Sequence, residues 1–188
     1  EAVYDLNNKI VILYSTWDLN NNNKEQLFAQ EIDFEKCVFK GQPQLIVSSE
    51  EKILGIDGYG KITLFGDKFI TQIAKDKTSF CVKYKKRPKN PFESNTFNDV
   101  VINAFDSELN LIYKKTLVSP YPMETKIENI AFLYDKNGAA HFFCRVFEKR
   151  DKNAPKTILA NYTVQLFTIP KNSEQVIVNK LDSNGKYI

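Results

Sequence analysis

Short runs of β-branched and aromatic residues punctuate the chain, each bounded by Asn, Asp, Gly or Pro. Lys9-Ile10-Val11-Ile12-Leu13-Tyr14 follows the turn pair Asn7-Asn8, and the run from Val100 to Phe105 follows Asn98-Asp99. His141 to Phe147 follows Lys136-Asn137-Gly138, and Glu174 to Val178 precedes Asp182-Ser183-Asn184-Gly185. Apolar positions show no long stripe at a period of 3.6, so the pattern predicts strands joined by tight turns. One segment competes. Leu27, Phe28, Glu31 and Ile32 sit at helical spacing behind an asparagine-rich stretch, so 24–37 taken alone could be helix. A repeat along the chain assigns it to strand instead, and the expected class is all-β.

That repeat begins with Asp5 to Asp18, which aligns without a gap on Asp135 to Glu148: an Asp-led turn, an apolar strand, then an aromatic and an acid. A third copy, Asp76 to Lys85, has a turn four residues shorter and places Phe80-Cys81 on Phe143-Cys144. Trp17, Tyr84 and Phe147 then fall on one position, at intervals of about 65 residues. Each copy continues through a polar loop into another strand (Gln26 to Asp33, Asp99 to Asp106, Thr157 to Thr168). A fourth short strand follows, at Gln44 to Ser48, Leu111 to Val118 and Gln175 to Lys180.

Four antiparallel strands in about 65 residues have the proportions of a β-propeller blade. A lone four-stranded sheet cannot hide both faces, so such sheets stack and bury their faces between neighbours. The expectation is a partial β-propeller of about three four-stranded blades, approximately 1–50, 51–120 and 121–188, with a β-sandwich as the alternative. Closed propellers have about four to eight blades, so three would leave the end sheets dependent on something outside them. Ile10, Ile12 and Tyr14 alternate with Val11 and Leu13, so neither face of the first repeat's strand is polar.

Composition adds mostly exclusions. Among 188 residues, 26 Lys and Arg against 23 Asp and Glu give a net charge of +3, no general drive toward nucleic acid or an anionic membrane. One histidine and three dispersed cysteines suit neither a multi-histidine metal site nor a disulfide framework. No cofactor or metal is expected, nor a transmembrane segment, since no apolar run approaches the ~20 residues a spanning helix needs. The start at Glu1 reads as that of a processed or excised chain, and Lys186-Tyr187-Ile188 reads as a cut end.

Candidate chemistry is sparse. Lys83, Tyr84, Lys85, Lys86, Arg87 and Lys89 form a basic stretch that could meet an anionic partner, with Tyr84 and Phe92 as stacking platforms. The plainer reading is a solvated hairpin end whose lysines blunt a sheet edge. Asp135 to Gly138 and Asp182 to Gly185 invite a calcium reading but lack an EF-hand's alternating acids and distal glutamate, leaving Asn-Gly hairpin turns. Cys81 and Cys144, at one repeat position, read as small buried hydrophobes too far apart to bridge, with Cys37 left over. His141 has no serine or cysteine motif nearby, and Asp57-Gly58-Tyr59-Gly60 is a turn with no helix behind it. Asn161-Tyr162-Thr163 reads as a plain strand triplet rather than a glycosylated sequon. Asp18, Glu25, Asp106 and Glu148 are carboxylates that could pair for glycoside hydrolysis if they met in space.

The stretch from Asn103 to Leu117, with Phe105-Asp106, Leu109-Asn110 and Lys114-Lys115, resembles the phe-asp-x-x-leu-asn-x-x-trp-lys-lys strand pair of large uncharacterised β-propeller proteins of the Bacteroidetes cell envelope. Pro120-Tyr121 and the turn Tyr134-Asp135-Lys136-Asn137-Gly138 match the same pattern, while Tyr113 replaces its tryptophan. Tyr14 to Asp18 with Leu27 to Asp33 is similar to the preceding blade. The resemblance implies export and an extracytoplasmic setting (periplasm, outer-membrane surface or secreted), and carries no catalytic residues. The expected function is a non-catalytic binding or scaffolding segment whose partner is a protein or further blades of the same protein, with no nucleic acid. The alternatives are a carbohydrate-active propeller enzyme and an assembly subunit of a larger envelope complex.

Overall fold

A computed structural model describes residues 2–18, 24–49, 51–56, 62–63, 68–87, 97, 99–122, 124–147 and 162–181. The fold is all-β: fourteen strands and no helix among these residues. The first antiparallel sheet orders β1 (Ala2–Leu6), β2 (Lys9–Asp18), β3 (Lys24–Asp33) and β4 (Val38–Ser48). The segment with helical spacing is therefore strand β3, where Leu27 and Ala29 reach the core. β4 is longer than Gln44 to Ser48, and its pairing with β3 shifts twice. At one shift Gln30 donates its side-chain amide to the Gly41 carbonyl at 3.0 Å, and Gly41 takes the φ of +65° that an unbranched backbone tolerates.

The central sheet contains β5 (Ile53–Ile56), β6 (Ile62–Thr63), β7 (Ile70–Ile73), β8 (Ser79–Lys86), β9 (Val100–Asp106) and β10 (Leu111–Thr116). It departs from a plain four-stranded blade. β9 lies along one edge of β8, while the other edge is shared end to end by β7, opposite residues 80–83, and β5, opposite Lys85 and Lys86. β6 adds beyond β5. The third sheet is a simple meander of β11 (Ile127–Tyr134), β12 (Ala140–Phe147), β13 (Tyr162–Ile169) and β14 (Ile177–Lys180).

The sheets stack face to face through two apolar layers. Val11, Leu13, Leu27 and Ala29 of the first sheet meet Phe80, Val82, Tyr84, Val101 and Phe105. Cys81, Ile102 and Ala104, on the opposite face of the central sheet, meet Ala140, Phe142, Cys144 and Phe167 of the third. The central sheet is thus covered on both sides, as in a propeller segment or a layered sandwich.

Hairpin lengths correct the expected register. Between the first and second strands, Asn7-Asn8 alone separates Leu6 from Lys9, with both asparagines at positive φ as a tight two-residue turn requires. Residues 74–79 separate Ile73 from Phe80, and residues 135–139 separate Tyr134 from Ala140. The third copy's turn is therefore longer rather than shorter, and Phe80-Cys81 stands level with Ala140-His141, not with Phe143-Cys144. Similarity along the sequence counted turn residues as if they kept pairing, whereas turn length itself sets register. Trp17, Tyr84 and Phe147 all lie near the far ends of second strands, yet Trp17 is half exposed and Tyr84 is buried.

One lysine ties the central sheet to the third. Lys115 on β10 is buried, and its ammonium donates to the carbonyls of Pro170 (2.5 Å), Lys171 (2.9 Å) and Ser173 (2.7 Å) in the β13–β14 connection. Tyr113 reaches the same sheet by donating its hydroxyl to the Gly138 carbonyl at 2.9 Å. Replacing Lys115 by methionine leaves three carbonyls without their shared donor, so urea unfolding should show a loss of about 2–4 kcal/mol. An unchanged midpoint would mean that water substitutes for the ammonium without cost.

Candidate functional site

The basic stretch is not a loop. Lys83 to Lys86 belong to β8, which is enclosed along nearly its whole length because alternate residues there must feed two apolar layers at once. Tyr84 faces the first sheet and packs edge-on against Phe69, with ring centroids 5.7 Å apart. Lys83 faces the third sheet, only 6% exposed, with its Nζ 5.0 Å from the ring centre of Phe132 and 5.7 Å from that of Phe142. Burial pulls the Lys83 ammonium down to about 8, and Lys85 likewise to about 8 with Asp99 acting against it. Lys86 pairs with Glu51 at 3.7 Å, Arg87 is exposed, and Lys89 lies outside the described residues with Phe92, Pro88 and Pro91. Neither an anion-binding loop nor a solvated hairpin tip describes Lys83, Tyr84 and Lys85.

The acids named from sequence do not converge. Asp106 is consumed by its own turn, where Oδ1 accepts the backbone N–H groups of Glu108 and Asn110, both at 2.9 Å. Asp18 pairs across the hairpin with Lys24 in the β2–β3 ladder, and Glu148 lies outside the described residues. Asp135 caps the turn after β11: Oδ1 accepts from Asn137 and Ala139 at 2.9 Å, while Oδ2 lies 3.1 Å from His141 Nε2. His141 Nδ1 in turn lies 3.0 Å from Thr168 Oγ1, a brace across three strand segments of the third sheet. The Asp135 carboxyl is lowered: burial opposes ionisation, but the Ala139 and Asn137 amides and His141 together outweigh it. This is a hairpin turn rather than a calcium loop, and no cluster of metal-ligating side chains exists among the described residues. The second such turn, 182–185, the glycine turn 57–60 and Asn161 fall outside them.

Cys81 and Cys144 are free and buried in the layer between the central and third sheets, where burial pushes the Cys144 thiol up to about 12 and Cys81 further still. Both behave as hydrophobes, though not at equivalent hairpin positions. Cys37 is exposed in the β3–β4 turn.

What the structure does bring together is Glu25, Lys68 and Trp17. Trp17 on β2 and Glu25 on β3 are direct cross-strand partners on the face that looks toward the central sheet. Lys68, just before β7, crosses from that sheet: its ammonium pairs with Glu25 Oε1 and lies 4.1 Å from the Trp17 ring centre. The Glu25 carboxylate is nearly enclosed and the Lys68 side chain mostly so, yet the indole remains 51% exposed. Around them opens a cleft of about 420 Å³ between β2, β3 and the 68–71 segment, also lined by Tyr4, Tyr14, Ser15, Phe69 and Thr71. Among the described lining residues Glu25 is the one carboxylate. Glu25 was one of four acids named from sequence, whereas Lys68 and the indole were missed. The signal available was the chain's lone tryptophan on a strand whose neighbours, Ser15, Thr16 and Asp18, are polar.

Comparison with models of known families, with curated proteins and with solved structures finds no match.

Two outcomes test these electrostatics. Folding lowers the Lys83 ammonium from 10.5 to about 8, so between those pH values the unfolded chain holds more protons and the folded state gains stability as pH rises. Lys83→Met should therefore exceed the wild type in urea stability most at pH 7. That advantage should shrink by on the order of 3 kcal/mol by pH 10.5; a pH-independent difference would contradict it. Glu25→Ala, by stranding a mostly enclosed ammonium, should cost about 3 kcal/mol, and adding Lys68→Met should restore most of it. Additive losses in that cycle would show the pair to be uncoupled.

Proposed function

We propose that this chain is a non-catalytic binding or scaffolding segment of a larger bacterial envelope or secreted β-propeller protein, working outside the cytoplasm. The observation that carries this reading is the contrast, among the described residues, between the central sheet, covered on both faces, and the two end sheets, each covered on one. On the open face of the first sheet, Val3 stands opposite Ile12, Ile32 stands opposite Ile10 on one side and Phe39 on the other, and Phe28 stands between Tyr14 and Leu45 in the same way. Val3, Phe39 and Leu45 are exposed. On the open face of the third sheet, Leu133, Phe143, Tyr162 and Ile177 are exposed around the His141–Thr168 pair.

These are the faces on which adjoining sheets would stack. At roughly 25 cal/mol per Å², covering several hundred Å² on each side would match a typical domain stability of about 5–15 kcal/mol. The envelope setting is supported by the resemblance of Asn103 to Leu117 and Tyr134 to Gly138 to Bacteroidetes propeller proteins. Binding is supported over hydrolysis by the cleft, which presents one carboxylate among its described residues where glycoside hydrolysis needs two about 5–9 Å apart. No helix among the described residues is long and apolar enough to cross a membrane.

Sedimentation of the isolated 188-residue chain tests the reading. Self-association or binding of a hydrophobic dye is expected, and both should fall sharply in an Ile12→Glu, Phe39→Glu variant that still unfolds cooperatively. A stable, cooperative monomer that ignores the dye would overturn it.

A further inference from the structure

We propose that the cleft between the first and central sheets binds a neutral saccharide, with Trp17 as the stacking platform and the Glu25–Lys68 pair as the hydroxyl-recognising end. This rests on the binding reading above and names its ligand class. The cleft, about 420 Å³, falls within the range of small-molecule sites. Its charges cancel: the Lys68 ammonium sits on the Glu25 carboxylate, so neither an anion nor a cation gains from entering without displacing one of the two. Neutral ligands escape that penalty.

The remaining chemistry is an aromatic face ringed by hydrogen-bonding groups. Lys68 covers one side of the Trp17 ring, yet Trp17 keeps half its surface in water although the residue directly across the ladder, Glu25, is buried, so the exposed part of the indole is available at the rim. Glu25 accepts from Lys68 at Oε1, and a carboxylate has acceptor sites beyond that one bond. Lys68 has further N–H donors beyond that bond, and the Ser15 and Thr71 hydroxyls line the same space. A pyranose matches this division: its C–H face lies on an indole, while its hydroxyls donate to a carboxylate and accept from an ammonium through charge-assisted bonds. A planar apolar ligand would leave those groups unpaired, which is costly in a partly desolvated cleft.

Trp17 is the chain's one tryptophan, so its emission reports on the cleft directly. The full chain is titrated with cellotriose, mannotriose and maltotriose, and with choline, adenosine and a trigalacturonate as comparators. A saturable shift of Trp17 emission is expected with at least one neutral trisaccharide at millimolar concentration or below. Glu25→Gln should weaken it at least about tenfold. Thr71→Val, which leaves the ion pair intact, should weaken it about threefold by calorimetry and guards against a folding defect in the first variant. The proposal is overturned if no neutral trisaccharide saturates by about 10 mM, if only choline, adenosine or trigalacturonate does, or if both variants bind as the wild type. Such a result leaves the sedimentation behaviour untouched, so failure here and failure of the segment reading are told apart.

Discussion

Everything in this molecule is arranged around the need to cover β8 on both sides. A strand has two faces and no way to choose between them, so a strand in the middle of a stack must be apolar at even and odd positions alike. Phe80, Val82 and Tyr84 serve one layer and Cys81 the other, which makes the first and third sheets mutually necessary although they do not pair with each other. The end sheets inherit half of the same requirement. Their inner faces are satisfied by the centre, and among the described residues their outer faces leave Val3, Phe39, Leu133 and Phe143 exposed.

Lysines inside this stack show three ways to keep a cation among apolar layers. Lys115 gives its N–H groups to three backbone carbonyls of the β13–β14 connection, Lys68 meets a carboxylate and an indole, and Lys83 has the faces of two phenylalanines. The first two join neighbouring sheets through polar bonds with definite geometry, and so fix how the sheets sit in a way that apolar contact alone does not. Lys83 is the costly one, because ring faces compensate desolvation only in part.

Much of the fold was legible because strand runs and turn residues are local signals. Asn7-Asn8 and the turn at Asp135 sit where hairpins close, and the second, third and fourth strands of each group overlap the runs the pattern named, with β4 starting earlier at Val38 and residues 157–161 lying outside the described residues. Register was not legible, since it depends on how many residues a turn consumes: Asn7-Asn8 in the first hairpin, residues 74–79 in the second and residues 135–139 in the third. The basic stretch was misread for a related reason: Lys83 and Lys85 look solvated on charge, and only the presence of the third sheet shows that they are enclosed. Of the cleft, sequence offered Glu25 among equals and not Lys68, because the pair spans residues 25 and 68 in different sheets. Convergence of that kind belongs to topology and leaves no local mark.

The divided edge of β8 sets an order of assembly. β7 reaches β8 through a hairpin that closes over residues 74–79, whereas Ile53 and Leu54 of β5 must return to Lys85 and Lys86 from far upstream. Loop-closure entropy grows with the chain to be closed, so the β7 half of the edge zips as a local event and the β5 half docks onto a strand already formed. The two halves of one edge thus differ in the chain entropy that closing them costs. The junction between them, beside Lys83 and Tyr84, is a natural boundary between cooperative units within a single sheet.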